Sequence, residues 1–485
     1  MKADSRKWLA LVVICVAQFM VILDVSIVNV ALPSIQRGLH FSEENLLWVL
    51  NAYALFFGGF LMLGGRVADK LGRRRVFVSG VALFTVASLF CGLATSTGWL
   101  VTARAVQGLG AAILSPAALS ILTVTFEEGP ERNKALSIWG AIAGAGGAFG
   151  VLLGGILTQE IGWQWIFYVN VPIGSMVVLT AFFILTPSLS EDETKGFDIP
   201  GAITLTASLV LMVFALVKST SWGWASVNTI GTLAAAAVLL AAFIVIEQRT
   251  AFPLVPLSIF GNRSLSVSNL VSLALGASIF SMFYFLSLYM QQVLGYSALK
   301  TGIGYLAIAF SIIAAAGAAQ ALVAKVGVRN VMSIGMVLAA GGLVYFSQIS
   351  PSGTYVGTLL PGFLLAGVGL GLSFVPVTIG AVSGVSPDEA GVASGLITTT
   401  QQIGGALGVA VLSTIAVSVT TRFSGSHGHT QQEAIAGLNH GFSVAFWFGA
   451  LFAAVGAVIA FFGMGRSFAT GHVGGEPTME DLEAA

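Results

Sequence analysis

The organisation of this chain is set by one short segment, Gly65-Arg66-Val67-Ala68-Asp69-Lys70-Leu71-Gly72-Arg73-Arg74-Arg75. Five of its residues are basic, and the stretches on either side, 46–65 and 76–96, contain no charged residue. Because a charge at the centre of a bilayer costs about 2.5–3.5 kcal/mol, such uncharged stretches are typical of membrane spans. The segment is therefore predicted to be a basic loop that joins two transmembrane helices.

The composition of the whole chain agrees with this local pattern. Of its 485 residues, 56% are hydrophobic and 9% are charged, and the mean hydropathy is +0.92. A soluble globular domain carries about 25% charged residues, so this chain is predicted to be an integral membrane protein. Its net charge of zero gives no general electrostatic reason to expect nucleic-acid binding.

Apolar stretches with few or no charged residues continue along the chain and predict fourteen spans, each of about 20 residues. Their approximate cores are 8–31, 46–65, 76–96, 100–122, 135–158, 164–186, 200–217, 228–246, 265–288, 302–323, 330–349, 356–379, 391–417 and 442–464. With this assignment, sixteen loop and terminal Lys and Arg residues fall on one side and four on the other. The positive-inside rule then predicts that both termini are cytoplasmic.

An internal repeat relates the two ends of the chain. A shift of 255 residues places Lys70 on Lys325, Gly72 on Gly327, Arg74 on Arg329 and Gly150 on Gly405. Parallel repeats with a site between them near the membrane midplane are a design of secondary transporters. We predict an all-α fold with a six-helix half (1–190), an inserted two-helix segment (191–260), a second six-helix half (261–466) and a cytoplasmic tail (467–485).

The basic loop resembles the G-x-x-x-D-x-x-G-R-R/K signature of the major facilitator superfamily. That resemblance implies a conformational latch on the cytoplasmic side, formed by Gly65, Asp69, Gly72, Arg73 and Arg74. The second copy of the loop has Ala324 in place of the Asp. A latch role is therefore expected mainly of the first copy.

Two further segments are similar to signatures of the fourteen-helix drug:proton antiporter branch of that superfamily. They run from Leu23 to Pro33 and from Gly162 to Gly174, and Gln164 stands where the branch usually has Arg. The resemblance implies a multidrug efflux protein of the cell membrane that needs no cofactor and is driven by the proton gradient. Its expected partners are protons, the lipid bilayer and a small hydrophobic or cationic substrate, and it is expected to be a monomer.

Two charged residues lie within the predicted spans, and both are candidates for proton coupling. Asp24 is the only carboxylate deep inside a span, and alternating exposure would let it bind a proton on one side and release it on the other. Arg104 is the only embedded cation, within 100–110, a segment that resembles the superfamily motif associated with proton coupling. A purely structural carboxylate at Asp24 is the alternative, and the sequence leaves a contact with Arg104 open.

Small residues four apart mark the fifth predicted span. They are Gly146, Gly150, Gly154 and Gly155. This spacing lets helices approach closely, and it resembles an exporter motif that normally includes a Pro where this chain has Val151. A packing interface and a gating hinge both remain open.

Polar and aromatic residues within or beside the spans are candidates for lining a substrate cavity, although each has an alternative role in packing. They are Gln18, Asn51, Tyr53, Gln107, Trp139, Tyr284, Tyr289, Gln291 and Gln401. No residue set suggests a nucleophile, a metal site or a paired-carboxylate catalyst, and no lysine follows a glycine as an ATP-binding P-loop requires. We therefore predict a transporter and not an enzyme.

Two other functions are compatible with the sequence. One is a proton symporter of the same superfamily that takes up a metabolite, and only the resemblance of the first and sixth spans argues against it. The other is a membrane protein without transport activity. That alternative does not explain why the chain carries Asp24 and Arg104 inside membrane spans, where charged residues are energetically costly.

Overall fold

A computed structural model describes residues 3–126, 130–186, 198–385, 389–427 and 430–465, and these residues are all helical or in loops. The α-helices are α1 (Ala3–Leu39), α2 (Glu43–Leu46), α3 (Trp48–Leu71), α4 (Arg73–Gly92), α5 (Thr97–Thr125), α6 (Pro130–Glu160), α7 (Trp165–Tyr168), α8 (Asn170–Ile184), α9 (Ile199–Trp222), α10 (Val227–Arg249), α11 (Arg263–Leu288), α12 (Ala298–Phe346), α13 (Leu360–Val382), α14 (Ala390–His427) and α15 (Gln431–Gly463). The predicted all-α membrane fold is confirmed.

The chain reverses direction inside α12. A straight helix of its 49 residues would be about 74 Å long. However, Tyr305 near its start and Phe346 at its end both pack on Phe363, with ring centroids 5.6 and 5.5 Å away. The reversal falls at Gly327, whose backbone is not helical (φ 83°, ψ 156°). The predicted break between the spans 302–323 and 330–349 is therefore present.

Twelve helices in the described part of the chain are long and apolar enough to cross a membrane. That number includes α12 as one helix and leaves out α6, so the predicted total of fourteen spans stays a prediction. Outward-facing apolar side chains, such as Leu179 and Phe183 of α8, are 63% and 83% exposed. Large apolar groups in contact with solvent are costly, so this surface is suited to lipid.

The internal repeat is visible in the backbone. Gly72 and Gly327, which the 255-residue shift aligns, both have a positive φ that favours glycine (94° and 83°). The arginine that follows each by two residues lies over the ring of a phenylalanine on the last helix of its half: Arg74 over Phe182 at 5.4 Å and Arg329 over Phe461 at 4.2 Å. The exact domain boundaries stay predictions, and the tail 467–485 lies outside the described residues.

Successive long helices run in alternate directions and define two ends of the bundle. We call the end that holds residues 65–75 the motif end. The start of α1 also lies there, because Lys7 forms an ion pair of 3.8 Å with Glu131 at the start of α6. At the opposite end the two halves are joined by side-chain amides: Gln291 Nε2 donates to the carbonyl of Val30 and Gln292 Nε2 to Gln36 Oε1, each at 2.8 Å. Side-chain hydrogen bonds therefore connect the two halves at the opposite end.

The inserted helices α9 and α10 are attached at the seam between α3 and α14. Thr206 of α9 lies so close to Gly59 of α3 that a Cβ atom at this glycine would overlap it. On the other side of the seam, Thr414 Oγ1 of α14 donates to the carbonyl of Leu216 at 2.9 Å. The inserted pair therefore contacts both halves.

Candidate functional site

Asp24 and Arg104 form an ion pair in the interior of the first half. Arg104 Nη1 lies 2.5 Å from Asp24 Oδ2, and the side chains are 1% and 0% exposed. The structure therefore makes the contact that the sequence left open. An ion pair buried this deeply stabilises a protein only if further hydrogen bonds satisfy both charges, and such bonds are present.

The carboxylate of Asp24 receives two more donors from neighbouring helices. Gln107 Nε2 of α5 donates to Asp24 Oδ1 at 2.8 Å, and Asn170 Nδ2 of α8 donates to the same oxygen at 3.1 Å. Both amides also donate to Ser88 Oγ of α4 (3.2 and 3.1 Å). Arg104 and these two amides each donate to Asp24, so the carboxylate is held by donors from two other helices of the first half, α5 and α8.

Arg104 is held on its other sides as well. Its Nε donates to the carbonyl of Val49 at 2.9 Å, and its Nη1 donates to Gln107 Oε1 at 2.7 Å. The guanidinium lies 4.4 Å from the centre of the Tyr53 ring, a distance at which a cation is attracted to the face of the ring. Arg104 therefore connects Asp24 to Tyr53.

A cavity of about 230 Å³ lies between the two halves, and Tyr53 and Arg104 form part of its wall. The rest of the wall is mostly apolar, with aromatic rings from the second half at Phe280, Phe283 and Tyr305. Its polar side chains include Asn29, Asn51 and Gln402, and among the described residues no carboxylate lines it. Asp24 lies behind Arg104 and does not reach the cavity surface.

Of the nine predicted cavity residues, Asn51 and Tyr53 line this cavity. Gln107 belongs to the Asp24 cluster, while Gln291 and Tyr289 have bonds at the opposite end of the bundle, Tyr289 donating to the carbonyl of Ser350 at 2.7 Å. Tyr284 lines a smaller, separate cleft. The remaining three, which also lie off the cavity wall, are Gln18, Trp139 and Gln401.

Several residues of the cavity wall could not be predicted from the sequence, for a geometric reason. Gln402 lines the cavity where Gln401 was predicted, because consecutive residues of an α-helix point about 100° apart. Asn29 and Tyr305 were not predicted at all, and their polarity within an apolar stretch is the signal that could have found them. Trp139 is partly buried against the apolar core of the first half, which makes it a packing residue here.

The glycine stripe of α6 presses this helix against α1 on both sides of Asp24. A Cβ atom at Gly146 would lie 2.9 Å from Ile22, one at Gly150 2.6 Å from Ser26, and one at Gly154 2.8 Å from Ile27. Gly155 faces the second half instead, next to the carbonyl of Ala298. The stripe is thus a close helix contact, and a hinge role stays a prediction.

The predicted latch lies at the motif end. Gly72 turns the chain between α3 and α4, and Arg74 Nη2 donates to the carbonyl of Phe182 at 2.6 Å. Gly65 faces Pro116 of α5, 3.6 Å from where its Cβ would lie. Arg73 starts α4, and Asp69 lies in the last turns of α3 with its side chain outside the described part of the structure. The latch role of these residues stays a prediction.

Two helical halves around a cavity, with buried charges beside it, define a membrane transporter of the secondary type. Comparison with known proteins agrees: the profile of the Major Facilitator Superfamily matches residues 14–409. The chain belongs to this superfamily. No cluster of side chains suited to a metal ion occurs among the residues that the structure describes.

The chain is similar over most of its length to curated antibiotic resistance and export proteins. It is 38% identical to a puromycin resistance protein of Streptomyces alboniger, covering 92% of this chain and 89% of that protein. It is 42% identical to a cephamycin export protein of Amycolatopsis lactamdurans, covering 85% of each. Among solved structures it is similar in fold to a bacterial homologue of the human lysosomal transporter Spinster, inward-facing and unoccupied. That similarity has a TM-score of 0.67 at 17% identity, covering 94% of this chain and 97% of the other.

Proposed function

We propose that this protein exports hydrophobic or cationic drugs across the cell membrane in exchange for protons. The observation that carries the proposal is the position of Arg104, which binds Asp24 on one side and forms the cavity wall on the other. A group in this position can respond to a proton at Asp24 and to a substrate in the cavity. The resistance and export functions named for the two relatives support the same assignment.

The coupling step follows from the competition for Arg104. A proton that binds Asp24 removes the charge that holds the guanidinium, so Arg104 is free to turn toward the cavity and disfavour a cationic substrate there. Release of the proton restores the ion pair and the substrate site. Proton and drug therefore exclude each other, which is the requirement for antiport.

The cavity wall defines which substrates fit. Because its described part offers aromatic faces, two asparagines and a glutamine but no carboxylate, a substrate is expected to bind through apolar contact and neutral hydrogen bonds. A cationic group would lie against ring faces and not against an acid. Large apolar or amphipathic molecules with at most one positive charge are the expected class.

The remaining features of the proposal concern the setting of the protein. We expect it in the cell membrane as a monomer, with both termini in the cytoplasm, driven by the proton gradient alone and without a cofactor or an enzymatic activity. Under this orientation the motif end is cytoplasmic, and the opposite end faces outward.

An everted-vesicle assay tests the proposal. Respiring vesicles that contain the protein acidify inside, and addition of a hydrophobic cationic drug is expected to discharge the pH gradient. Vesicles with the Asp24→Asn variant at matched expression are the control and are expected to hold their gradient. If drugs that wild-type cells resist never discharge the gradient, proton antiport is wrong; a proton symporter for a metabolite would give that result.

A further inference from the structure

Two carboxyl groups that are remote from Asp24 are buried together at the motif end. Asp198 precedes α9, and its Oδ1 accepts from the backbone N–H of Gly201 at 2.8 Å. Glu247 lies in the last turn of α10, and its Oε2 accepts from the backbone N–H of Val255 at 3.1 Å. The two residues are 1% and 3% exposed. Neither was singled out by the sequence.

The second oxygen of each carboxyl has no hydrogen-bond donor in the described part of the chain. Asp198 Oδ2 and Glu247 Oε1 are buried without a hydrogen-bond partner among the described groups. The two side chains are neighbours, because Ala202, one turn after Asp198, belongs to the same apolar cluster as Val255, which Glu247 binds, and the charge of Asp198 acts on Glu247. Two neighbouring ionised carboxylates repel one another, whereas a single proton between them satisfies both oxygens. The geometry is that of an acid pair that shares a proton.

Among the residues that the structure describes, one cation, Arg66, acts on the pair. Of the described charged groups, Asp198 and Arg66 act on Glu247, and Arg66 donates Nη1 to the carbonyl of Phe252 at 2.6 Å and Nη2 to that of Pro253. Among the described residues, one cation near two carboxyl groups leaves an excess negative charge if both are ionised. A bound proton removes that excess.

The segment 252–255, which this pair holds, contacts the first half, the inserted helix pair and the second half. Residues 252–253 are bound by Arg66 of the first half, and Val255 is bound by Glu247 of the inserted pair. Leu254 and Val255 pack with apolar residues of α11 and α14 in the second half, namely Leu265, Ala393 and Leu396. A change in the pair therefore reaches the contact between the two halves.

We propose that Asp198 and Glu247 bind one proton between them and form a second proton site, separate from Asp24, that fastens the segment 252–255 across the motif end. When the proton is bound, Glu247 stays in place and holds the N–H of Val255. When the proton leaves, the two carboxylates separate and this segment loosens. Under the proposed function, on which this consequence rests, the motif end would open more readily as the cytoplasm becomes alkaline.

Hydrogen–deuterium exchange of the purified full-length protein tests the site without measuring transport. Protection of the backbone amides of Phe252, Leu254 and Val255, corrected for the intrinsic effect of pH on exchange, is measured from about pH 5 to pH 8. If local opening of the segment releases one proton, protection falls by about tenfold for each unit by which the pH rises. This dependence holds over the range in which the closed pair is still protonated. In Asp198→Asn and in Glu247→Gln an amide donates to the remaining carboxylate, so the segment is expected to stay protected with no such dependence on pH.

The matched control is Glu44→Gln. Glu44 also binds the inserted pair, through Thr220 at 3.0 Å and Lys218 at 3.7 Å, but at the opposite end of the bundle. This variant is expected to keep the wild-type pH dependence. The proposal is overturned if protection in the wild type does not depend on pH, or if the dependence persists in both amide variants. Since transport is not read out, neither result bears on drug export.

Discussion

Separate and joint replacement of Asp24 and Arg104 measures what their ion pair does. Each residue is at most 1% exposed, so Asp24→Asn leaves a buried guanidinium without its counter-ion, and Arg104→Met leaves a buried carboxylate. Breaking a buried pair in this way costs about 3–5 kcal/mol, whereas replacing both charges together is often close to neutral. In the double variant, the amide oxygen that replaces the carboxylate of Asp24 can still accept from Gln107 and Asn170. We therefore expect the double variant to be more stable than either single variant.

The assay is thermal unfolding of the purified variants in one detergent, followed by drug-driven proton release from everted vesicles. The expected order of unfolding midpoints is wild type, then the double variant, then the two single variants. All three variants are expected to lose proton-driven export, and the double variant shows this loss in a protein that is still well folded.

Two outcomes would refute this reasoning. If the double variant loses as much stability as both single variants together, the charges act independently and the ion pair does not carry the stability assigned to it. If Asp24→Asn exports at the wild-type rate in a gradient-dependent manner, the carboxyl does not carry the coupled proton.

Two paired glycine substitutions test the helix contacts. Gly150→Ala places a methyl group 2.6 Å from Ser26 Cβ, whereas at Gly147 the nearest atom would be 3.9 Å away. We therefore expect Gly150→Ala to cost about 1–3 kcal/mol of stability and Gly147→Ala to be tolerated. Equal unfolding midpoints for the two variants would contradict this. Gly327→Ala meets no neighbouring atom but forces a side chain into φ 83°, at a cost of about 1–3 kcal/mol. The helical control Gly317→Ala also meets no atom and should be at least neutral, so a lower midpoint for the control than for Gly327→Ala would exclude backbone strain as the cause.

The sequence was most informative where a residue is costly in a membrane. Asp24 and Arg104 are conspicuous because each is a charge in an apolar stretch, and the 255-residue repeat predicts the turn at Gly327 from the turn at Gly72. The neighbours of Asp24 were harder to find. The sequence marks Asn170 only as part of the segment 162–174. The three-dimensional structure shows that its amide donates to the carboxylate of Asp24.

Most residues of the cavity wall could not be predicted from the sequence, for a different reason. In a soluble helix the alternation of polar and apolar residues shows which face is buried, but helices surrounded by lipid and protein are apolar on every side. The face of α14 that meets the cavity is therefore not marked, and Gln401 and Gln402 cannot be told apart by pattern. Asp198 and Glu247 could not be singled out for another reason: they lie at the ends of spans, where charged residues are common.

The two halves of the molecule share a backbone plan but divide the chemistry between them. Under the 255-residue shift Asp24 corresponds to Ile279 and Arg104 to Leu359, so the second half has no counterpart of the ion pair. Apart from Gln402, it offers the cavity apolar and aromatic side chains instead. If protons are handled by the first half and much of the substrate surface belongs to the second, neither half can couple the two alone. Coupling must pass through groups at their interface. Arg104 meets this requirement because it contacts both Asp24 and the cavity, and Asn51 joins the same wall to the second half through its bond of 3.0 Å to the carbonyl of Ala406.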